Sequence, residues 1–172
     1  MQPKTGNEHP REWANIFNGR QRHAGRSTTS PSQQNLHNLL ERLCVLTEVQ
    51  ESDRRAVLDN AVMMLNGTAV AFKLEEWSGY VKVYVDVGLP PPESEHELYR
   101  YLLEQQLYIP VPFSMVPGVH PESRRIVLCA FVPLPTDKEG DNSFAAFLHA
   151  CIEVATLLKS KKPELGGVNS AQ

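Results

Sequence analysis

YVKVYVDVGLPPP, residues 80–92, decides how this chain folds. Val81, Val83, Val85 and Val87 alternate with Tyr80, Lys82, Tyr84 and Asp86. Successive side chains of a strand point to opposite faces of a sheet, so the alternation predicts a strand with one valine face turned to a core. Prolines 90–92 stop the ladder, since they lack the N–H it needs. The valine face requires helices to cover it. The Tyr/Lys/Tyr/Asp face looks outward.

Upstream, AVMML-NG-TAVAFKL predicts a hairpin, because Asn66-Gly67 suits a two-residue turn with positive φ at both positions. EEWSG forms the next turn. Before the hairpin, Leu36, Leu39, Leu40, Leu43 and Leu46 line one face of a helix that Ser32 is placed to cap. Residues 52–59 are ambiguous, with an added helical turn as one reading. Downstream, SEHELYRYLLEQQL is a helix, with Ser94 and Glu97 spaced as a capping box. PFSMVPGVHPESRRIVLCAFVPL gives two strands around a Pro/Gly-rich loop, and SFAAFLHACIEVATLLKSKK a long closing helix that Pro163 and Gly166-Gly167 end. The order α-β-β-β-α-β-β-α predicts an α+β fold: an antiparallel twisted sheet of about five strands with three helices on one face.

The chain has 172 residues, of which 41 % are apolar, enough for one core of moderate size. Its formal net charge is −3, divided into +3 over residues 1–32 and −6 over the rest. An acidic body is a poor partner for nucleic acid, whose affinity comes from Lys and Arg neutralising phosphates. Its apolar runs are too short to cross a bilayer, and the polar first thirty residues resemble no secretion signal. A cytoplasmic location without membrane insertion is expected. Cys44, Cys129 and Cys151 are unclustered, which fits a reducing compartment and three small core residues rather than disulfides.

Nothing in the chain spells out an enzyme. The six histidines lack zinc-site spacing, and there is no nucleophile elbow, Walker loop or dinucleotide fingerprint. His149 and Cys151 are two apart on a helix and so face different ways, which favours a buried histidine near a core cysteine. Glu75 and Glu76 read as a solvated hairpin tip. No catalytic residue, cofactor or metal is expected.

The surplus of apolar surface carries more information. All five tyrosines lie between residues 80 and 108, and tyrosine suits interfaces because it pairs a large ring with a polar tip. The helix over 94–107 is apolar through half its circumference, which marks it for a self-complementary contact. Within the polar N-terminal stretch, Trp13, Ile16 and Phe17 share one side of a helical turn, so this island is expected to dock on its own domain or on a partner.

In order and spacing, NLHNLLERL, the hairpin at LNGT, YVKVYVDVGLPPP, ELYRYLLEQQLYIP, RRIVLCAFVPL and SFAAFLHACIEVATLLKSK resemble the type III secretion chaperones of the Tir-chaperone class. The likeness spans residues 33–162. It implies a homodimer of a bacterial cytoplasmic protein, paired through Tyr99, Leu103, Gln106, Leu107 and Tyr108. It also implies that the N-terminal segment of a secreted effector wraps around the dimer and is kept unfolded, soluble and export-competent. On this sequence the effector contacts would be Leu39, Leu40, Leu43, Phe72, Tyr80 and Tyr84. The alternative is a non-catalytic adaptor of the same fold that captures a folded protein. Three segments follow: an extension over 1–31, mostly irregular; the chaperone-like domain over 32–163; and a flexible tail over 164–172. Such chaperones usually begin close to their first helix, so the extension is a departure from the pattern. It is placed to cover the effector groove until cargo displaces it.

Overall fold

The computed structural model of the chain describes residue 13 and residues 30–75, 78–105 and 115–166. Helix α1 spans Pro31–Leu46. Its cap is Ser30, two residues before the expected Ser32. The Ser30 Oγ accepts from the Gln33 N–H at 3.2 Å, and Gln33 Oε1 accepts from the Ser30 N–H at 3.1 Å. Pro31 at the first helical position fits this start, since its N–H would have no partner there anyway.

The ambiguous stretch forms a full helix, α2, Glu51–Asn60, with Glu51 and Asp53 in its first turn where the helix dipole favours acids. The described residues 30–166 therefore hold four α-helices, not three. Strands β1, Val62–Leu65, and β2, Thr68–Glu75, meet at Asn66 and Gly67, with φ of 49° and 72° as the expected turn requires. Strand β3, Tyr80–Gly88, is the opening stretch. After one 3-10 turn at Pro92–Ser94 comes α3, Glu95–Gln105.

Strand β4 spans Val116–Val119, inside what the sequence suggested was loop, and β5 spans Ile126–Pro133. Proline is tolerated there because β4 is an edge strand, where Pro117 need donate nothing outward. Helix α4, Lys138–Gly166, continues through Pro163 and ends at Gly166, the first of the two glycines expected to help stop it. Asp137 caps it, its carboxylate accepting from the Gly140 N–H at 2.7 Å.

The five strands lie in the order β1-β2-β3-β5-β4, every neighbouring pair antiparallel. The helices bury their apolar sides in one cluster on the inner face, where Val81, Val83, Val85 and Val87 are 0–2 % exposed. Phe72 of β2 meets Phe144 of α4 with ring centroids 6.4 Å apart, and Phe144 meets Phe147 edge-on at 6.0 Å. Leu39, Leu40 and Leu43 of α1 and Leu98 and Leu102 of α3 close the cluster. Each such side chain contributes about 1.5–3 kcal/mol by leaving water. An ion pair at the edge of the core ties α1 to α4. Arg42 of α1 grips the buried Asp141 of α4 through Nε–Oδ2 at 2.5 Å and Nη2–Oδ1 at 3.0 Å, fixing the two helices in register.

Candidate functional site

Residues paired across an antiparallel ladder share a face, so the register maps the outer surface row by row. One row runs Glu75, Tyr80, Pro133; the next runs Lys73, Lys82, Phe131. A third joins Val62, Ala71, Tyr84, Cys129 and Val116. Phe131 is 51 % exposed, Val116 44 % and Tyr80 41 %, an open apolar strip across three strands. Lys82 stands in its middle. Its Nζ lies 4.5 Å over the Phe131 ring, 5.9 Å from the Tyr84 ring centroid and 3.6 Å from Glu75 Oε1. Burial works against the Lys82 charge, yet Tyr84, Cys129 and Glu75 together hold its pKa above the ordinary value. Burial likewise raises the pKa of the Tyr84 phenol and the Cys129 thiol, so both stay protonated near neutral pH. The strip offers apolar contact with a charged tether, and no nucleophile.

The other end of this face is already covered. Trp13 is 1 % exposed and packs with Val62, Ala69, Ala71, Val127 and Tyr84. Its ring lies under the Arg125 guanidinium at 4.9 Å. Arg125 in turn binds Asp86 through Nε–Oδ1 at 3.1 Å and Nη2–Oδ2 at 2.6 Å. The N-terminal extension thus docks an aromatic anchor on its own domain. Ile16 and Phe17 lie outside the described residues.

A second concavity, of ≈ 370 Å³, opens between the end of α1, the β1–β2 turn and α4, lined by Leu46, Thr47, Leu65, Ala145, His149 and Ile152.

The expected contact residues divide sharply. Tyr80 and Tyr84 are on the outer face, as placed. Leu39, Leu40, Leu43 and Phe72 are core residues, 0–2 % exposed; only Leu40 reaches a concavity, at the floor between α1 and α2 beside Leu36 and Leu58. The helical period left open which leucines of α1 face the sheet; packing against β2 and α4 selects these three, leaving Leu46 at 47 % exposure. His149 is exposed in the cleft rather than buried, and Cys129 is half-buried on the outer face rather than in the core. Cys44 and Cys151 are buried, the latter thiol pushed up to about 12 by desolvation.

Of the expected dimer residues, Leu103 is 65 % exposed on α3, opposite the buried Leu98 and Leu102. Tyr99 is half-buried, packs against the core and donates to Glu95 Oε1 at 2.5 Å. Gln106, Leu107 and Tyr108 lie outside the described residues, as does the side chain of Ser94. The sequence reading missed Lys82, Val116, Arg125 and Phe131. Phe131 had a usable signal, because it is out of phase with Ile126, Leu128, Ala130 and Val132 on β5.

A protein-family model for the Tir chaperone protein (CesT) family matches residues 34–159. The chain belongs to that family. Among solved structures, a chain from the crystal structure of the ExsC-ExsE complex shares its fold, with a TM-score of 0.54 at 13 % identity, covering 79 % of this chain and 96 % of that one. No curated protein sequence matches it significantly. The match makes the protein a type III secretion chaperone by family, a class of binding proteins rather than enzymes. Within this CesT-family chaperone, the Lys138–Ser160 part of α4 has the length and hydropathy of a membrane span. Its Phe144, Phe147, Leu148, Cys151, Ile152, Ala155 and Leu158 are nevertheless buried in the core, which accounts for its apolar character.

Proposed function

We propose that this protein is a cytoplasmic chaperone of a bacterial type III secretion system that binds the N-terminal segment of a secreted effector and keeps it unfolded, soluble and ready for export. It acts as a homodimer, performs no catalysis and uses no cofactor. The observation that carries this reading is the outer sheet face. Exposed Tyr80, Val116 and Phe131 continue from a patch on which the domain already seats an apolar residue of a segment outside its fold. A contiguous apolar strip centred on Lys82, with Lys73 and Glu75 at its rim, is the kind of surface that takes a protein partner. An extended segment fits it, since β4, which carries Val116, is an edge strand among the described residues and offers main-chain pairing beside the strip. The ExsC-ExsE structure, a complex of two proteins, is consistent with partner binding on this fold.

The contacts we assign to the effector are Tyr80, Lys82, Tyr84, Val116 and Phe131, with Leu46 at the cleft as a second contact. The dimer contact we assign to Leu103 with Tyr99 and the residues that follow α3. Holding a segment unfolded requires only that binding favour that state, so no nucleotide is needed.

Purification of the protein from its producing cells tests the reading. One co-purifying secreted protein is expected, its N-terminal segment protected from protease only while bound. Recovery with a folded cytosolic protein, held through its globular part, would favour the adaptor instead.

A further inference from the structure

The Trp13 site has the properties of a socket rather than of ordinary packing. Its parts come from the sheet and are aligned by the ladder, independently of the arm. Ala69 and Ala71 form the floor, whereas Lys73 and Glu75 occupy the next outward positions of the same strand. The alanines leave room for a ring that longer side chains would fill. Val62 and Val127 stand on either side, and Tyr84 packs against the edge. Arg125 is the roof, and Asp86 fixes its height by a two-point contact. A planar cation held 4.9 Å above a ring selects an aromatic side chain over an aliphatic one. The occupant comes from outside the family domain, which the match begins at residue 34.

We propose that this socket is a recognition site for one aromatic anchor of an extended peptide, filled in the free chain by Trp13, and that an aromatic residue of the bound effector segment takes its place. The exchange rests on the chaperone reading above; the socket does not. A tethered residue competes at an effective concentration in the millimolar range, so Trp13 masks the socket when no partner is present and yields to a partner that binds over a larger area. It also raises the threshold for capture: a weak single contact loses to the arm, and a segment that occupies the strip as well as the socket does not. The arm thereby discriminates between chance apolar peptides and a matching segment.

The test uses the full-length chain and a fluorescein-labelled peptide of residues 8–20, EHPREWANIFNGR, followed by anisotropy. Full-length Trp13→Ala, with the socket empty, should bind it saturably, and the wild type about tenfold or more weakly because its own arm competes. The same peptide with alanine for tryptophan should not bind. Adding Ala71→Leu to Trp13→Ala should abolish binding without lowering Tm, since the leucine enters space the indole has left. Equal binding by wild type and Trp13→Ala, or equal binding of the tryptophan-free peptide, overturns the socket.

The exchange has its own readout. The N-terminal segment of the co-purified partner should release the labelled peptide from Trp13→Ala. A partner that binds without releasing it overturns the exchange and leaves the chaperone reading in place. A chain that takes the peptide but carries no secreted partner overturns the chaperone reading and leaves the socket.

Discussion

Arg125 serves two residues at once: its guanidinium plane covers the Trp13 ring at 4.9 Å, and its edge binds Asp86 at 3.1 and 2.6 Å. The outer end of the sheet therefore depends on a charge pair that is largely out of water, with Asp86 only 6 % exposed. Arg125→Ala leaves that carboxylate without its cation, and should cost about 3–5 kcal/mol in urea unfolding. Asp86→Asn combined with Arg125→Met should recover most of the loss, because asparagine still accepts from the Gly88 N–H that Asp86 now holds at 2.7 Å. A double variant no more stable than Arg125→Ala would show that the pair is not what holds this end.

Two leucines of α1 separate fold from surface. Leu43→Asp places a carboxylate in the core and should cost more than about 4 kcal/mol, enough to unfold a marginally stable domain. Leu46→Asp, at the exposed cleft, should change the unfolding midpoint by within about 0.5 kcal/mol. Circular dichroism and urea titration distinguish the two, and a folded Leu43→Asp protein would contradict the core assignment.

Leu103 tests the oligomer. An exposed leucine beside a core-facing stripe is expected to pair with a second copy. Sedimentation should show a dimer for the wild type and a folded monomer for Leu103→Asp. A wild type that sediments as a monomer would remove the assignment.

Glu95 gives an acid-side prediction. The Tyr99 hydroxyl and then the Arg124 guanidinium hold its carboxylate below its ordinary value of 4.5. A depressed folded pKa contributes stability that is complete above the unfolded value and disappears as pH falls through the folded one. Glu95→Gln should therefore lower Tm at pH 7, and the gap to wild type should close as pH drops below 4.5. A gap unchanged at low pH would mean the contact does not depend on ionisation.

How far the sequence could be read follows from what each signal measures. The β3 alternation and the Asn66-Gly67 turn are local, set by backbone pleat and by φ, and both appear where expected. The β4 position was obscured because Pro117 and Gly118 are usual loop formers, and only edge placement makes them strand residues. A helical stripe tells which residues of α1 are apolar but not which neighbour covers them, so Leu39, Leu40 and Leu43 were assigned to a groove although α4 and β2 enclose them. Arg125 and Asp86 are 39 residues apart, and nothing local announces their pairing. Trp13 stood out in a polar stretch, yet its seat is built from four strands and was not visible in any of them alone.

The most direct test of partner binding at the outer face is the affinity of the co-purified effector segment for wild type, Phe131→Asp and Leu46→Asp, measured by titration calorimetry. Phe131 is half exposed and stands on the outer face, outside the core cluster, so its variant should remain folded. We predict that Phe131→Asp weakens binding by about tenfold or more, the loss expected when a central apolar contact is removed. Undiminished binding by Phe131→Asp, with loss only in Leu46→Asp, would contradict the account and move the effector to the cleft beside α1.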